Sequence, residues 1–252
     1  MKKLLIALVA ALTVGGAQAG TIADLAVVDR ATGERIPVYS HRGRLYVPGA
    51  PGAKYSLLVT NKTGERALTV VSVDGVNVVT GDTANPGQSG YVLDAWGSVD
   101  IAGWRKSMSE VAAFYFTSLP DSYAARTGRP ANVGVIGVAV FREYQAPRPP
   151  SLLRQQAPAS GAERREAESA ASADQSRAAP APAEKLGTGH GEREASEATR
   201  TDFRRASASP SELITLYYDS RANLIARGII PGRPYAEPNP FPGFRFAPDP
   251  RS

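Results

Sequence analysis

Two short polar segments combine aromatic side chains with cationic ones, a pairing that suits ligand binding better than catalysis. Their aromatic and cationic members are Trp96, Trp104, Arg105, Lys106, Tyr123, Arg126 and Arg129. An exposed Trp can stack on a sugar ring or on a partner's side chain, and Arg is enriched at contact sites. If both loops meet at one end of the fold, they form the best candidate recognition surface. A Trp can also cap a core, so a structural interpretation of both tryptophans stays open.

Nucleophilic catalysis of the Ser-His-Asp type has little support. His41 lies in a predicted hairpin turn, and His190 lies in Gly187-Thr188-Gly189-His190-Gly191. The sequence has no Gly-x-Ser-x-Gly elbow to hold a serine at a strained turn. Both histidines are therefore interpreted as surface loop residues, and we predict no catalytic residue.

Paired carboxylates keep a hydrolase alternative open, because glycoside chemistry needs only two of them. Most acidic residues of the β-rich region stand at turn positions: Asp74, Asp82, Asp94 and Asp121. A turn Asp hydrogen-bonds its own backbone, which is sufficient reason for its presence. Two carboxyl groups about 5–10 Å apart in a pocket would favour the hydrolase.

Composition excludes other chemistries. The 252-residue chain has no Cys and only two His, so disulfides, thiolate metal sites, cysteine catalysis and His-rich metal sites are ruled out. Val133–Val138 contains Gly134 and Gly137, but it lacks the Gly-x-Gly-x-x-Gly pattern and predicts a strand. We therefore predict no metal and no cofactor.

The charge distribution argues against nucleic acid as a partner. The chain has 29 Lys and Arg against 24 Asp and Glu, a formal net charge of +5. The two signs are mixed along the whole sequence, and no segment forms the basic footprint that a polyanion needs.

The first nineteen residues have the pattern of a secretory signal peptide. Lys2 and Lys3 precede an apolar run from Leu4 to Val14, and Ala17-Gln18-Ala19 is a small-x-small cleavage site. The apolar run is shorter than the roughly 20 residues that a membrane span needs. We expect cleavage after Ala19, no membrane span afterwards, and an exported protein that is periplasmic or secreted.

Residues 20–146 predict an antiparallel β-sandwich. Short runs rich in Val, Ile, Tyr and Phe alternate with Gly, Asp, Asn and Pro. The predicted strands are Leu25–Val28, Arg35–Tyr39, Arg44–Val47, Tyr55–Thr60, Ala67–Val73, Val76–Val79, Gly90–Leu93, Ser98–Ile101, Val111–Thr117 and Val133–Glu143. Asp74-Gly75 predicts a two-residue type I′ hairpin turn. One helical turn is expected between Arg105 and Phe114.

The C-terminal part divides in two. Residues 147–185 are rich in Ala, Pro, Ser, Glu and Arg, and they predict a disordered linker. In residues 186–252 we expect a strand near Glu212–Tyr218, a further strand or turn at Asn223–Ile230, and a tail rich in Pro and aromatic residues. About forty C-terminal residues are too few for a core of their own, so this segment is predicted to pack on the β-domain.

Several segments resemble one group of exported proteins. They are Ser72–Val78, Gly103–Lys106, Ser122–Phe141, Gly187–Glu192 and Tyr218–Ser220. They are similar to segments of uncharacterised signal-peptide-bearing proteins of Gram-negative bacteria, in which a similar β-domain precedes a low-complexity stretch. The resemblance covers about half of the chain. It implies an envelope location and brings no catalytic residue.

The sequence therefore favours a non-catalytic exported module of the cell envelope. Its expected partner is a protein or an envelope component, recognised through loop aromatics and Arg. The alternative is a carboxylate-dependent hydrolase acting on envelope polymers.

Overall fold

The computed structural model describes residues 21–146 and 185–232, which form two β-sheets packed face to face. The all-β sandwich predicted from the sequence is confirmed. The predicted signal peptide, the predicted linker up to residue 184 and the Pro/aromatic tail from residue 233 lie outside the described residues. Among the described residues, no helix has the length and apolar character that crossing a membrane requires.

Thirteen strands and two short helices make up the described part of the chain. The strands are β1 (Ala23–Asp29), β2 (Tyr39–His41), β3 (Arg44–Gly49), β4 (Lys54–Asn61), β5 (Ala67–Val73), β6 (Val76–Asn77), β7 (Tyr91–Leu93), β8 (Ser98–Ile101), β9 (Gly103–Arg105), β10 (Glu110–Ser118), β11 (Val135–Arg142), β12 (Leu186–Ala195) and β13 (Glu212–Ser220). The helices are α1 (Tyr123–Arg126) and α2 (Arg221–Ala226), with a 3-10 turn at Pro130–Asn132.

The C-terminal segment contributes one strand to each sheet. The first sheet has the order β1-β4-β10-β12, with β8 beside β4 and β9 beside β10. The second has the order β2-β3-β13-β11-β5-β6, with β7 beside β5. Every pairing is antiparallel except that of β3 with β13, which is parallel. Residues 186–220 are therefore part of the sandwich.

The observed strands agree best with the predicted ones where a short sequence pattern is enough to determine the structure. Ala67–Val73 and Ser98–Ile101 are strands with the predicted bounds. The Asp74-Gly75 turn joins β5 to β6, and both residues have positive φ, 54° and 74°, as a type I′ turn requires.

Three local predictions need correction. Arg35–Tyr39 contains only an isolated bridge at Arg35 before β2 begins. Residues 105–114 belong to β9, a turn and β10, and hold no helical turn. Asn223–Ile230 is no strand: it begins inside α2, where the Ser220 side chain caps the helix by accepting from the Asn223 N–H, and the predicted turn follows the helix. Strands β9 and β12 were not predicted from the sequence.

A stack of aromatic rings joins the two sheets. Tyr55 lies between Phe114 and Phe116, with ring centroids 5.4 and 4.3 Å away. Phe116 in turn meets Tyr218 of the other sheet at 5.4 Å. All four rings are buried, so they remove a large apolar area from water.

The Glu212 carboxylate at the start of β13 holds the beginning of β1. One oxygen accepts from the Thr21 N–H at 2.6 Å, and the other accepts from the Ile22 and Ala23 N–H groups at 2.9 and 3.0 Å. Burial raises the pKa of Glu212, but these backbone donors outweigh it and hold the pKa below the ordinary value of 4.5.

We expect Glu212→Gln to lower the free energy of unfolding by about 1–3 kcal/mol, since an amide nitrogen cannot accept from these donors. Because the folded pKa is depressed, the stabilisation is present above pH 4.5 and is lost as the pH falls through the folded pKa. Urea denaturation between pH 3 and 7 measures both effects. Glu197→Gln, at an exposed position, is the control. An equal loss at pH 3 and pH 7 would contradict the assignment.

Candidate functional site

Two predicted loop segments and one unpredicted strand meet at a group of three rings. The Tyr123 and His190 rings, 5.1 Å apart, are both partly exposed and form what we call the binding platform. Beneath them lies Trp104, whose ring is 4.7 Å from Tyr123 and 6.2 Å from His190, nearly parallel to the latter. The platform therefore has two accessible rings on a buried third ring.

The position of Trp104 is fixed by strand pairing and by the core. Trp104 pairs with Ala112 across the β9–β10 ladder, and its side chain is only 2% exposed. Its ring meets Phe114 edge-on at 4.7 Å. Gly103 permits this pairing, because a Cβ there would lie 2.0 Å from the Ala112 carbonyl oxygen. Trp104 is thus a rigid support and offers no free ring face to a partner.

A β-bulge carries His190 to the platform. Phe114 pairs with His190 and Ala112 pairs with Arg193, so β12 has one extra residue between these two points. Gly189 allows close packing here, since a Cβ would lie 2.1 Å from the Tyr115 ring. The bulge explains how His190 and Arg193, three positions apart, both lie close to the platform.

Helix α1 presents Tyr123 and Arg126. The Ser122 hydroxyl caps α1 by accepting from the Ala125 N–H at 3.2 Å, while it donates to the Leu119 carbonyl at 2.7 Å. Arg129, after the helix, lies over the Tyr123 ring at 5.9 Å and donates to the Gly81 carbonyl at 3.0 Å. Both contacts fix the segment that the sequence predicted as a polar loop.

Cations surround the platform with little compensating charge. Arg193 pairs with Glu110 at 3.2 Å. Lys106 and Arg126 are exposed, and among residues 21–146 and 185–232 no carboxylate lies within 4.0 Å of either. Burial first, and then the positive charges of Lys106, Arg126 and Arg193, lower the pKa of His190. The imidazole is therefore neutral at pH 7 and keeps one nitrogen able to accept a hydrogen bond.

Trp104 also contributes an unpartnered donor. Its Nε1–H is buried and has no hydrogen-bond partner among the described residues. A buried donor left without an acceptor costs about 1–3 kcal/mol. The other buried polar side chains of the described residues are all hydrogen-bonded, so this donor stands out within the platform.

The structure assigns different positions to the other predicted site residues. Arg105 is engaged within the fold: it donates to the Tyr91 hydroxyl at 3.1 Å and to the Ser196 carbonyl at 2.8 Å. Trp96 is 69% exposed, but it lies near the Asn61 end of β4, where its backbone N–H donates to the Thr63 carbonyl. The platform lies towards the other end of β4, where Tyr55 packs on Phe114. Five of the seven predicted residues lie at or beside the platform: Trp104, Lys106, Tyr123, Arg126 and Arg129. Arg105 is hydrogen-bonded within the fold, and Trp96 lies away from the platform.

His190 is the residue that sequence reasoning missed. It was interpreted as a surface loop residue, but it belongs to β12 and contacts two rings of the site. The available signal was the glycine on each side of it, since alternate glycines in a strand mark a close approach of side chains from a neighbour.

A second polar group lies inside the sandwich. The Asp74 carboxylate accepts from the Tyr218 hydroxyl at 2.5 Å and from the Gly134 and Thr188 N–H groups at 2.9 and 2.8 Å. Thr188 continues the network to Tyr55 at 2.7 Å. Burial raises the pKa of Asp74, although these donors oppose the change. Asp74 is a turn residue as predicted, but the hydrogen bonds shown for its carboxylate go to Gly134, Thr188 and Tyr218, which are distant in sequence.

Two carboxylates line a separate cleft. Asp29 and Glu34 contribute to an opening of about 240 Å³ that also includes Arg35, Lys54 and Phe116. The Asp29 carboxylate accepts from the Ala31 N–H at 2.8 Å, so it stabilises its own turn. Among the described residues, no group of three His, Asp or Glu side chains is close enough to hold a metal ion.

No protein-family model, no curated protein and no solved structure matches this chain. The resemblance to exported Gram-negative proteins therefore stays a prediction, and any function must be argued from the platform itself.

Proposed function

We propose that this chain is a non-catalytic binding module of the cell envelope, exported by residues 1–19 and working in the periplasm or outside the cell. It recognises a protein or an envelope component through the binding platform and the cations around it. One observation carries this proposal: Lys106 and Arg126, which have no carboxylate partner among the described residues, lie beside two partly exposed rings that rest on a buried, rigid Trp104. Rigid aromatic anchors beside Arg are typical of contact sites.

The platform also meets the physical requirements of preorganised binding. Tyr123 stands on a capped helix, and His190 stands on a strand whose backbone is paired with β10. Ordering these side chains on binding therefore loses little conformational entropy. The two free cations increase the attraction of any anionic partner.

The hydrolase alternative rests on Asp29 and Glu34, which line one cleft. Asp29 already accepts from its own turn. The other charged and aromatic groups of the cleft are also engaged: Arg35 pairs with Asp24, Lys54 pairs with Glu192 and Glu194, and Phe116 is buried. We therefore place the function at the platform. An Asp29→Asn/Glu34→Gln variant that lost an envelope-degrading activity of the native protein would reverse this choice.

We expect the Tyr123→Ala/Arg126→Ala variant to recover at least about tenfold less cross-linked partner than the native chain, because it lacks one ring and one charge of the site. Photo-cross-linking in intact cells, followed by quantitative recovery of the chain's partners, measures the loss. Arg221→Ala removes an exposed cation from α2 and is the matched control. Trp96→Ala tests the other predicted aromatic, and we expect full capture.

Unchanged capture by the double variant, with an unchanged thermal unfolding curve, would contradict the proposed function. Loss of capture in Trp96→Ala alone would mean that the partner binds near Trp96, at the Asn61 end of β4, and not at the platform.

A further inference from the structure

We propose that the ligand of the platform is an acidic saccharide, whose sugar ring stacks on Tyr123 and His190 while its carboxylate binds Lys106 and Arg126. This inference rests on the proposed function and names the chemical class that the module recognises.

The charges define the first requirement. Four cations approach the platform: Lys106 from the turn before β10, Arg126 from α1, Arg129 after α1, and Arg193 from β12. Glu110 compensates Arg193, and Arg129 is committed to Gly81 and Thr127. Lys106 and Arg126 are left without a carboxylate partner among the described residues, so an anionic group on the ligand, such as a carboxylate, complements them.

The rings define the second requirement. Tyr123 and His190 are inclined to each other by 36°, and they form a small, partly exposed apolar surface. The apolar C–H face of a pyranose packs well on such rings, and Met108, 41% exposed, lies two residues from Lys106 as further apolar surface. A bare anion uses none of this surface.

Hydrogen bonding favours a saccharide over an acidic peptide. Burial first, and then the nearby cations, lower the pKa of His190, so its neutral imidazole can accept from a hydroxyl group. Saccharide hydroxyls supply donors to that nitrogen, whereas the carboxylate side chains of an acidic peptide only accept at neutral pH and leave donation to its backbone N–H groups.

The chain provides its own reporter. It has only two Trp, and Trp96 is exposed at the other end of β4. In a Trp96→Phe background, Trp104 is the single indole, and it lies 4.7 and 6.2 Å from the two platform rings. We expect oligogalacturonate to change its fluorescence saturably, and the methyl-esterified oligomer to bind at least about tenfold more weakly.

The two histidines provide a second readout. A bound carboxylate near His190 favours the protonated imidazole, so oligogalacturonate should raise the pKa of His190 in an NMR titration. The methyl ester should not, and His41 serves as the internal reference. Arg126→Ala and Lys106→Ala should each weaken binding of the acid while leaving the ester unaffected, with Arg221→Ala as the control.

Three results would overturn the inference: equal binding of acid and ester, binding of poly-L-glutamate as tight as that of oligogalacturonate, or no saturable response to either saccharide. If these occur while cross-linking still depends on Tyr123 and Arg126, the platform binds another class of ligand and the proposed function stands. If cross-linking is also independent of both residues, the proposed function fails as well.

Discussion

Replacing Asp74 with alanine is expected to lower the free energy of unfolding by at least about 3 kcal/mol, which is a large part of the stability of an ordinary domain. The substitution leaves three buried donors without their acceptor: the Tyr218 hydroxyl and the Gly134 and Thr188 N–H groups. These donors belong to different parts of both sheets. Their loss should therefore loosen the whole sandwich, and urea denaturation of the purified chain measures it.

Asp74→Asn separates hydrogen bonding from charge. The amide keeps one accepting oxygen, so we expect a smaller loss of about 1–3 kcal/mol. Because burial raises the folded pKa of Asp74 above its ordinary value of 3.8, the folded state binds more protons in that window. The stability that Asp74 contributes is thus greatest below pH 3.8 and decreases as the pH rises through the folded pKa.

The difference between native and Asn variant stabilities should therefore shrink as the pH rises from about 3.5, which is opposite to the behaviour expected of Glu212. Asp82→Ala, at an exposed turn position, is the control and should change stability by less than about 0.5 kcal/mol. A loss below 1 kcal/mol in Asp74→Ala would mean that the buried network contributes little.

The second large effect concerns the division of the chain. A polypeptide that ends at residue 146 is expected not to fold, since it lacks β12 and β13. Without β13, strands β3 and β11 lose their shared neighbour, and β10 loses β12. The exposed strand edges and the opened core should give an aggregating product without a cooperative unfolding transition.

Co-expression of residues 185–252 should restore a soluble complex, because the missing strands are supplied in trans. Circular dichroism and co-purification measure the recovery. A co-expressed segment carrying Leu216→Asp is the control, since it places a charge at a buried position of β13. A cooperative transition from residues 1–146 alone would show instead that the chain has two independent domains.

Local signals explain which features were predictable. Asp74-Gly75 was predicted because its turn type depends on two adjacent residues. The burial of Asp74 was not predictable in this way, since its partners Gly134, Thr188 and Tyr218 lie 60, 114 and 144 residues away. Strand β12 was missed because Gly is depleted in strands, and the close packing of Gly187 on Ser122, of Gly189 on Tyr115 and of Gly191 on Ala113 accounts for its glycines.

The candidate site shows the same limit. Residue type alone predicted Trp104, Tyr123 and Arg126 as site residues. The same prediction required the two loops to meet before they could form a surface. The meeting depends on β9, β10 and β12 lying side by side, which is a property of the sheet. Arg105 has the same composition signal as Arg126, but its hydrogen bonds to Tyr91 and Ser196 commit it to the fold.

Strand β13 is the last strand among the described residues, but it lies in the interior of its sheet, between β3 and β11. While a ribosome is still making the chain, β3 and β11 have no neighbour to join them, and the sandwich cannot close. Joining elements so distant in sequence is slow, since a long loop must be closed before any contact forms. The growing polypeptide thus stays open until its final quarter appears, with unpaired strand edges that chaperones can bind.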